Sequence, residues 1–175
     1  MGKSIVQTAT LKKSTRFNGF QGYGLRAILS LILGMMLSAC TGERPEGLGI
    51  NKDRLKPCPY SPNCVSTNSG EDRKHFIKPI LFSGNSKEVM GRVRREVKSQ
   101  ERTRIIEEND HYLYAEFESR VFGFVDDVEF YFEGKTGTLH ARSASRMGYG
   151  DLGVNRERIE LLFSLLEKTD KKPST

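Results

Sequence analysis

Apolar and polar residues alternate with a period of two along four consecutive stretches, Arg102–Glu108, Tyr112–Arg120, Val125–Gly134 and Thr138–Arg146. Such alternation predicts strands with one face in a core. In the second stretch Leu113, Ala115 and Phe117 oppose Tyr112, Tyr114, Glu116 and Glu118. In the third, with Phe124 before it, Phe124, Val128, Phe130 and Phe132 oppose Asp127, Glu129, Tyr131 and Glu133. In the fourth, Leu139, Ala141, Ser143 and Ser145 oppose His140, Arg142 and Arg146. The turn signals EENDHY and EGKTGT join these stretches as hairpins. With Lys135 and Thr136 at the turn, Glu133 faces Thr138, Tyr131 faces His140 and Glu129 faces Arg142. A slip of one residue would mix the two faces and is rejected.

Two other stretches have a helical period. Val89, Met90, Val93 and Val97 share one stripe, with Asn85 and Glu88 spaced as a capping box. A second helix begins near Asn155 and carries Ile159, Leu162, Phe163 and Leu166 at i, i+3, i+4 and i+7. His75–Phe82 reads as a first strand, bent or at an edge because of Pro79. The order strand, helix, four strands, helix predicts an α+β fold: an antiparallel sheet of about five strands with helices packed on its apolar face.

Charge changes this picture only at the N-terminus. The net charge of the 175-residue chain is +6. Residues 1–39 hold five basic residues and no acidic one, which leaves 23 basic against 22 acidic residues in the remainder. A near-neutral domain lacks the electrostatic footprint of a nucleic-acid binder. The basic segment is followed by an apolar run, Ala27–Ala39, of 13 residues. That run is short for a membrane span, which needs about 20 residues. It ends in Leu37-Ser38-Ala39-Cys40, which resembles the signal of bacterial lipoproteins. The resemblance implies that residues 1–39 are a signal peptide and that Cys40 carries the lipid. By the sorting rules of such proteins, Thr41 after the cysteine implies the outer membrane, facing the periplasm. The expected partners are the membrane, through that anchor, and an envelope protein or a small anionic or lipidic ligand.

Residues 40–57, polar with scattered Gly and Pro, read as a flexible tether. The domain follows at 58–168, and 169–175 reads as a disordered tail. Cys58 and Cys64 remain after the anchor is set aside, and in an oxidising compartment a disulfide is the favoured reading. A zinc site and a redox pair are the alternatives. No histidine pair accompanies the two thiols, and their spacing is not C-x-x-C.

Candidate chemistry gathers on the third and fourth strands and the corner after them. Glu129 and Arg142 face each other, with Asp127 and Arg146 nearby, either as a charge ladder or as a pocket for an anion. Asp126 falls on the core side by strict alternation. A β-bulge could turn it outward, or an arginine, Arg146 or Arg156, could reach it. A carboxyl there, or at Asp127, is also the general acid or base of an alternative reading as an envelope hydrolase. Asp151 or Asn155 caps the last helix, and Gly148, Gly150 and Gly153 allow positive φ in the corner. Arg142, Arg146 and Arg156 are more arginines than a corner needs and are candidates for ligand contact. Asp126, Asp127, Glu129 and Asp151 do not have the spacing of an EF-hand, so no metal is expected. No nucleophile motif or phosphate loop is present, and no cofactor is expected.

Three blocks, CPYSPNCVS, GFVDDVEF and RSASRMGYGDLGVNRERIE, resemble those of the bacterial and plastid family known as domain of unknown function 1499. The resemblance extends from Leu55 to Leu166 and implies no particular activity.

Overall fold

The computed structural model describes residues 42–170 apart from Ser69 and Glu71. Residues 1–39, expected to be a signal peptide, Cys40 and the last five residues lie outside that range. The elements are β1 (Cys64–Ser66), β2 (Ile80–Leu81), α1 (Ser86–Lys98), β3 (Thr103–Glu108), β4 (Tyr112–Glu118), β5 (Val125–Glu133), β6 (Thr138–Ser145) and α2 (Val154–Asp170). They form an α+β fold: a six-stranded antiparallel sheet of order β1-β6-β5-β4-β3, with β2 also pairing β6.

The hairpin register is the one read from the alternation, with Glu133 on Thr138, Tyr131 on His140 and Glu129 on Arg142. Gly137 is required in that hairpin. Its φ is +68°, and a Cβ there would lie 2.8 Å from the carbonyl oxygen of Phe82. The expected strand over His75–Phe82 is mostly loop. Only Ile80 and Leu81 pair with β6, while Phe76 makes an isolated bridge to Ser66. The second edge segment is instead β1, which follows directly from the disulfide loop. The bridge Cys58–Cys64 is formed, with Cα atoms 5.7 Å apart. Buried His75 ties this region together, bonding the Asp72 carboxylate through Nδ1 and the Ser61 carbonyl through Nε2.

Both helices pack on one face of the sheet and on each other. Asn85 caps α1 by accepting from the Glu88 amide at 3.0 Å. Its stripe Val89, Met90, Val93 and Val97 is buried. So is the α2 stripe of Ile159, Leu162, Phe163 and Leu166. They meet Leu113, Ala115, Phe117, Val128, Phe130, Phe132, Leu139 and Ala141 in one core. Phe124 departs from its expected place on that face: it lies before β5 and is exposed. Helix α2 continues to Asp170, whose carboxylate meets Arg92 of α1, so the first two residues of the expected tail are helical.

The largest departure from the sequence reading is on the other face. Residues 40–57 read as a tether, yet from Gly42 onward this segment lies across the polar face as a strap. Leu55 is buried with Tyr112, Tyr114 and Tyr131, and Leu48 and Ile106 pack against them as a second, smaller core. Arg44 reaches Glu116, and the Gly49 amide reaches Glu129. Three tyrosine rings on one face offer enough apolar surface to hold a segment with only two leucines. β4 and β5 are therefore buried on both faces along nearly their whole length. β3 forms the outer edge, and its pairing with β4 is broken by a bulge between Ile105 and Glu107.

The strap makes a prediction that a free tether does not. Leu55→Ala should lower unfolding stability by roughly 2–3 kcal/mol, toward the low end for a buried leucine. Urea denaturation of the two proteins measures it, and an unchanged midpoint contradicts the packing.

Candidate functional site

Three acidic residues of β5, Asp126, Asp127 and Glu129, project to the two faces of the sheet, and each meets an arginine. Asp126 lies on the helix side. No bulge displaces it, because β5 stays in register with both neighbours there. Its partner is neither Arg146 nor Arg156 but Arg158 of α2, whose Nη2 donates to Oδ2 at 2.6 Å. The same guanidinium lies over the Phe117 ring, 4.9 Å from its centroid. Arg158 also donates to Ser143 Oγ and Asn155 Oδ1. Fully buried Asn155 in turn donates to the Asn63 carbonyl and to Ser145 Oγ. This network pins α2, β6 and the end of the disulfide loop to one another.

Asp151, not Asn155, caps α2. Its carboxylate accepts from the amides of Gly153 and Asn155. In the corner before it, Gly148 and Gly153 take positive φ, whereas Gly150 does not and Leu152 does, at +55°. Arg156 meets none of the β5 acids; it lies 3.8 Å from Glu160 and donates to the carbonyls of Lys74 and Phe76. It is a clamp on the loop before β2.

On the strap side Asp127, Glu129, Arg142 and Arg146 do converge. Arg146 grips Asp127 through Nε at 3.0 Å and Nη2 at 2.7 Å. Tyr114 donates to the same carboxylate at 2.6 Å. Glu129 is fully buried and accepts from the Tyr112 hydroxyl at 2.8 Å and the Gly49 amide at 2.7 Å. Arg142 Nη1 approaches it at 3.4 Å, while buried Arg142 Nε has no partner among the described residues. Burial and the adjacent carboxylates Glu129 and Asp127 raise the pKa of Tyr112 and Tyr114 respectively, so both hydroxyls stay protonated and donate. Asp126, Asp127, Glu129 and Asp151 do not gather around a common point. The first faces the helices, the next two face the strap, and Asp151 sits at a helix end.

The centre of this face is a residue outside the sequence candidates. Glu116 of β4 pairs across to Asp127 and receives Arg44 of the strap, Arg104 of β3 and Arg146 after β6. Burial pushes its pKa up, but the hydrogen bonds from Arg104, Arg146 and Arg44 prevail and bring it down to about 2. Hydrogen bonding to Asp127 is the largest cause of the raised pKa of Arg146, which keeps that guanidinium charged. The alternation placed Glu116 on this face. It could not show that partners 72 and 30 positions away would reach it.

Around Glu116 a cleft of about 670 Å³ opens, lined by four arginines, Arg44, Arg102, Arg104 and Arg146, against two glutamates, Glu116 and Glu118. The side chain of Arg146 is only 7% exposed there. The side chains of Arg44 and Arg104 are 50% and 73% exposed at its rim. Each rim guanidinium has N–H groups beyond those it gives to Glu116.

The depressed pKa has a sign that can be checked. A carboxyl held below its ordinary 4.5 contributes stability that is present above that value and is lost as the pH falls toward 2. Wild type should therefore exceed Glu116→Gln in stability at neutral pH, with the gap closing between about pH 4.5 and 2. Urea midpoints across that range read it; a gap that stays constant contradicts the arginine clamp.

Among curated proteins no sequence matches this chain. The family described as protein of unknown function (DUF1499) matches residues 54–166, most of the described domain and more than half of the chain. The match includes β1 to β6, α1 and most of α2, together with the acidic residues and the arginines that neutralise them, Arg44 excepted. The chain belongs to the DUF1499 family.

Proposed function

We propose that the protein is a lipid-anchored module of the bacterial envelope, facing the periplasm from the outer membrane, that binds an anionic group without catalysis. The observation that carries the binding is the cleft at Glu116. Its rim arginines, Arg44 and Arg104, are exposed and keep donors to spare, and their common carboxylate holds them side by side. Two guanidinium groups fixed in this way suit a carboxylate or phosphate, which accepts paired N–H donors. The binding residues are thus at the rim. Of the three arginines that the sequence singles out, Arg142 and Arg146 have buried side chains paired with Glu129 and Asp127, and Arg156 holds the carbonyls of Lys74 and Phe76. The anchor rests on Leu37–Cys40 and the basic segment before it, and the envelope setting fits the Cys58–Cys64 bridge.

The hydrolase alternative gains no support from this geometry. Asp126 lies under α2 in the grip of Arg158, and Asp127 is held by Arg146 and Tyr114. Neither carboxyl lines the cleft.

Inorganic phosphate is a sufficient probe of the cleft. Calorimetric titration should show binding to the full chain that Arg104→Ala weakens about tenfold, the loss of one charge-assisted hydrogen bond. Equal affinity in the variant overturns the site.

The anchor is tested separately by cell fractionation. Cys40→Ser should leave the signal uncleaved and its lipid absent; normal processing with acylation elsewhere overturns the anchor.

A further inference from the structure

Six of the eleven large apolar side chains exposed among the described residues lie in two loops. Val121, Phe122 and Phe124 form the tip of the β4–β5 hairpin, and Met147, Tyr149 and Leu152 lie between β6 and α2. Phe122 is 68% exposed and Leu152 completely so. The rings of Phe122 and Phe124 stack with centroids 5.5 Å apart, which gives the tip a firm apolar surface. Isolated exposed apolar residues are ordinary, but a cluster marks a contact surface.

The two loops leave the sheet at the same end. Glu118 pairs with Val125, and Asp126 pairs with Ser145. The disulfide loop is there too, because Cys64 pairs with Ala144, and it carries the wholly exposed Tyr60. At the other end of β5, about 27 Å away at the rise of an antiparallel strand, the hairpin tip is Glu133-Gly134-Lys135-Thr136.

The chain enters the domain at the apolar end. Gly42 packs on Arg146 and Met147, so closely that an added Cβ would lie 3.1 Å from Arg146 Cβ and 3.2 Å from Met147 Cγ. Cys40 is two residues upstream, within about 7 Å along the chain.

We infer that this end seats on the lipid bilayer, with the 121–124 and 147–152 loops entering the boundary between headgroups and acyl chains. The inference rests on the reading of Cys40 as the lipid-bearing residue. The occupant is a bilayer because the anchor and the apolar tips are at the same end, which places a membrane where those side chains would leave water. Phenylalanine, tyrosine and leucine on separate tips suit a fluid apolar layer beneath a polar one. The arginine cleft, lined also by Glu118 and Val125, opens at the same end. Lipid phosphates are then the anions within its reach.

The chain has no tryptophan, so a single introduced one reports its own depth. Phe122→Trp, Leu152→Trp and Leu81→Trp are made in the full lipidated protein. Leu81 is exposed and pairs with Thr138 at the far end. The proteins are reconstituted into phosphatidylethanolamine–phosphatidylglycerol vesicles with brominated acyl chains. Fluorescence at 122 and 152 should fall by about half or more, as expected for side chains at the acyl boundary, and fluorescence at 81 should be unchanged. Unquenched tryptophans at 122 and 152, whether covered by a second copy or held off by a tether, overturn the inference and leave the anchor standing. Quenching at 122 and 152 in protein whose mass shows no lipid on Cys40 retains the docking face and removes the anchor instead.

Discussion

Three carboxylates on a strand buried from both sides set the terms for the rest of the molecule. Asp126, Asp127 and Glu129 stand on β5 between the helices and the strap. A carboxylate taken out of water needs a cation or several donors beside it. Those donors come from α2, from the end of β6, from β4 tyrosines and from the strap. Helix α2 and the strap are therefore matched to the sheet by charge as well as by apolar area. Removing one partner of such a pair costs about 3–5 kcal/mol, because the other charge is stranded. The apolar core supplies the bulk of the stabilisation, and the ion pairs discriminate between arrangements of it. A one-residue slip of β5 would carry Asp127 beneath the helices and Phe130 beneath the strap.

What could be read in the sequence was whatever has a short period. The alternation in β4, β5 and β6 located the strands and their register, and the stripes of α1 and α2 located their buried sides. These patterns are local, and each repeats several times. The strap has no period. Its apolar content is Leu48, Ile50 and Leu55 among glycines, prolines and charges. It is ordered by the tyrosines it lands on, more than fifty residues later in the chain. The partner of Asp126 was hidden for a related reason. Arg158 is one of four closely spaced arginine and glutamate positions at the start of α2, and only the rotation of the helix against β6 selects it.

The same reasoning separates spent charges from available ones. Sequence draws attention to the arginines nearest the acids, Arg142 and Arg146, and these are the ones that folding consumes. Arg44 and Arg104 escape notice because one lies in an apparent linker and the other on an edge strand. Yet a shared, ionised Glu116 sets their spacing and leaves part of each guanidinium in water. Positive charge that a fold neutralises fixes geometry, while positive charge left at the rim of a concave surface can meet something else.

The interrupted pairing at Ile105–Glu107 bears on how the molecule behaves when crowded. β3 is the outer strand beside β4, and an open strand edge invites another chain to add to it. There the ladder slips by a residue, so a second edge could not match it over a long run. Arg104, Glu107 and Glu108 add side-chain charge along the same border. Copies at high local density are thereby discouraged from polymerising edge to edge.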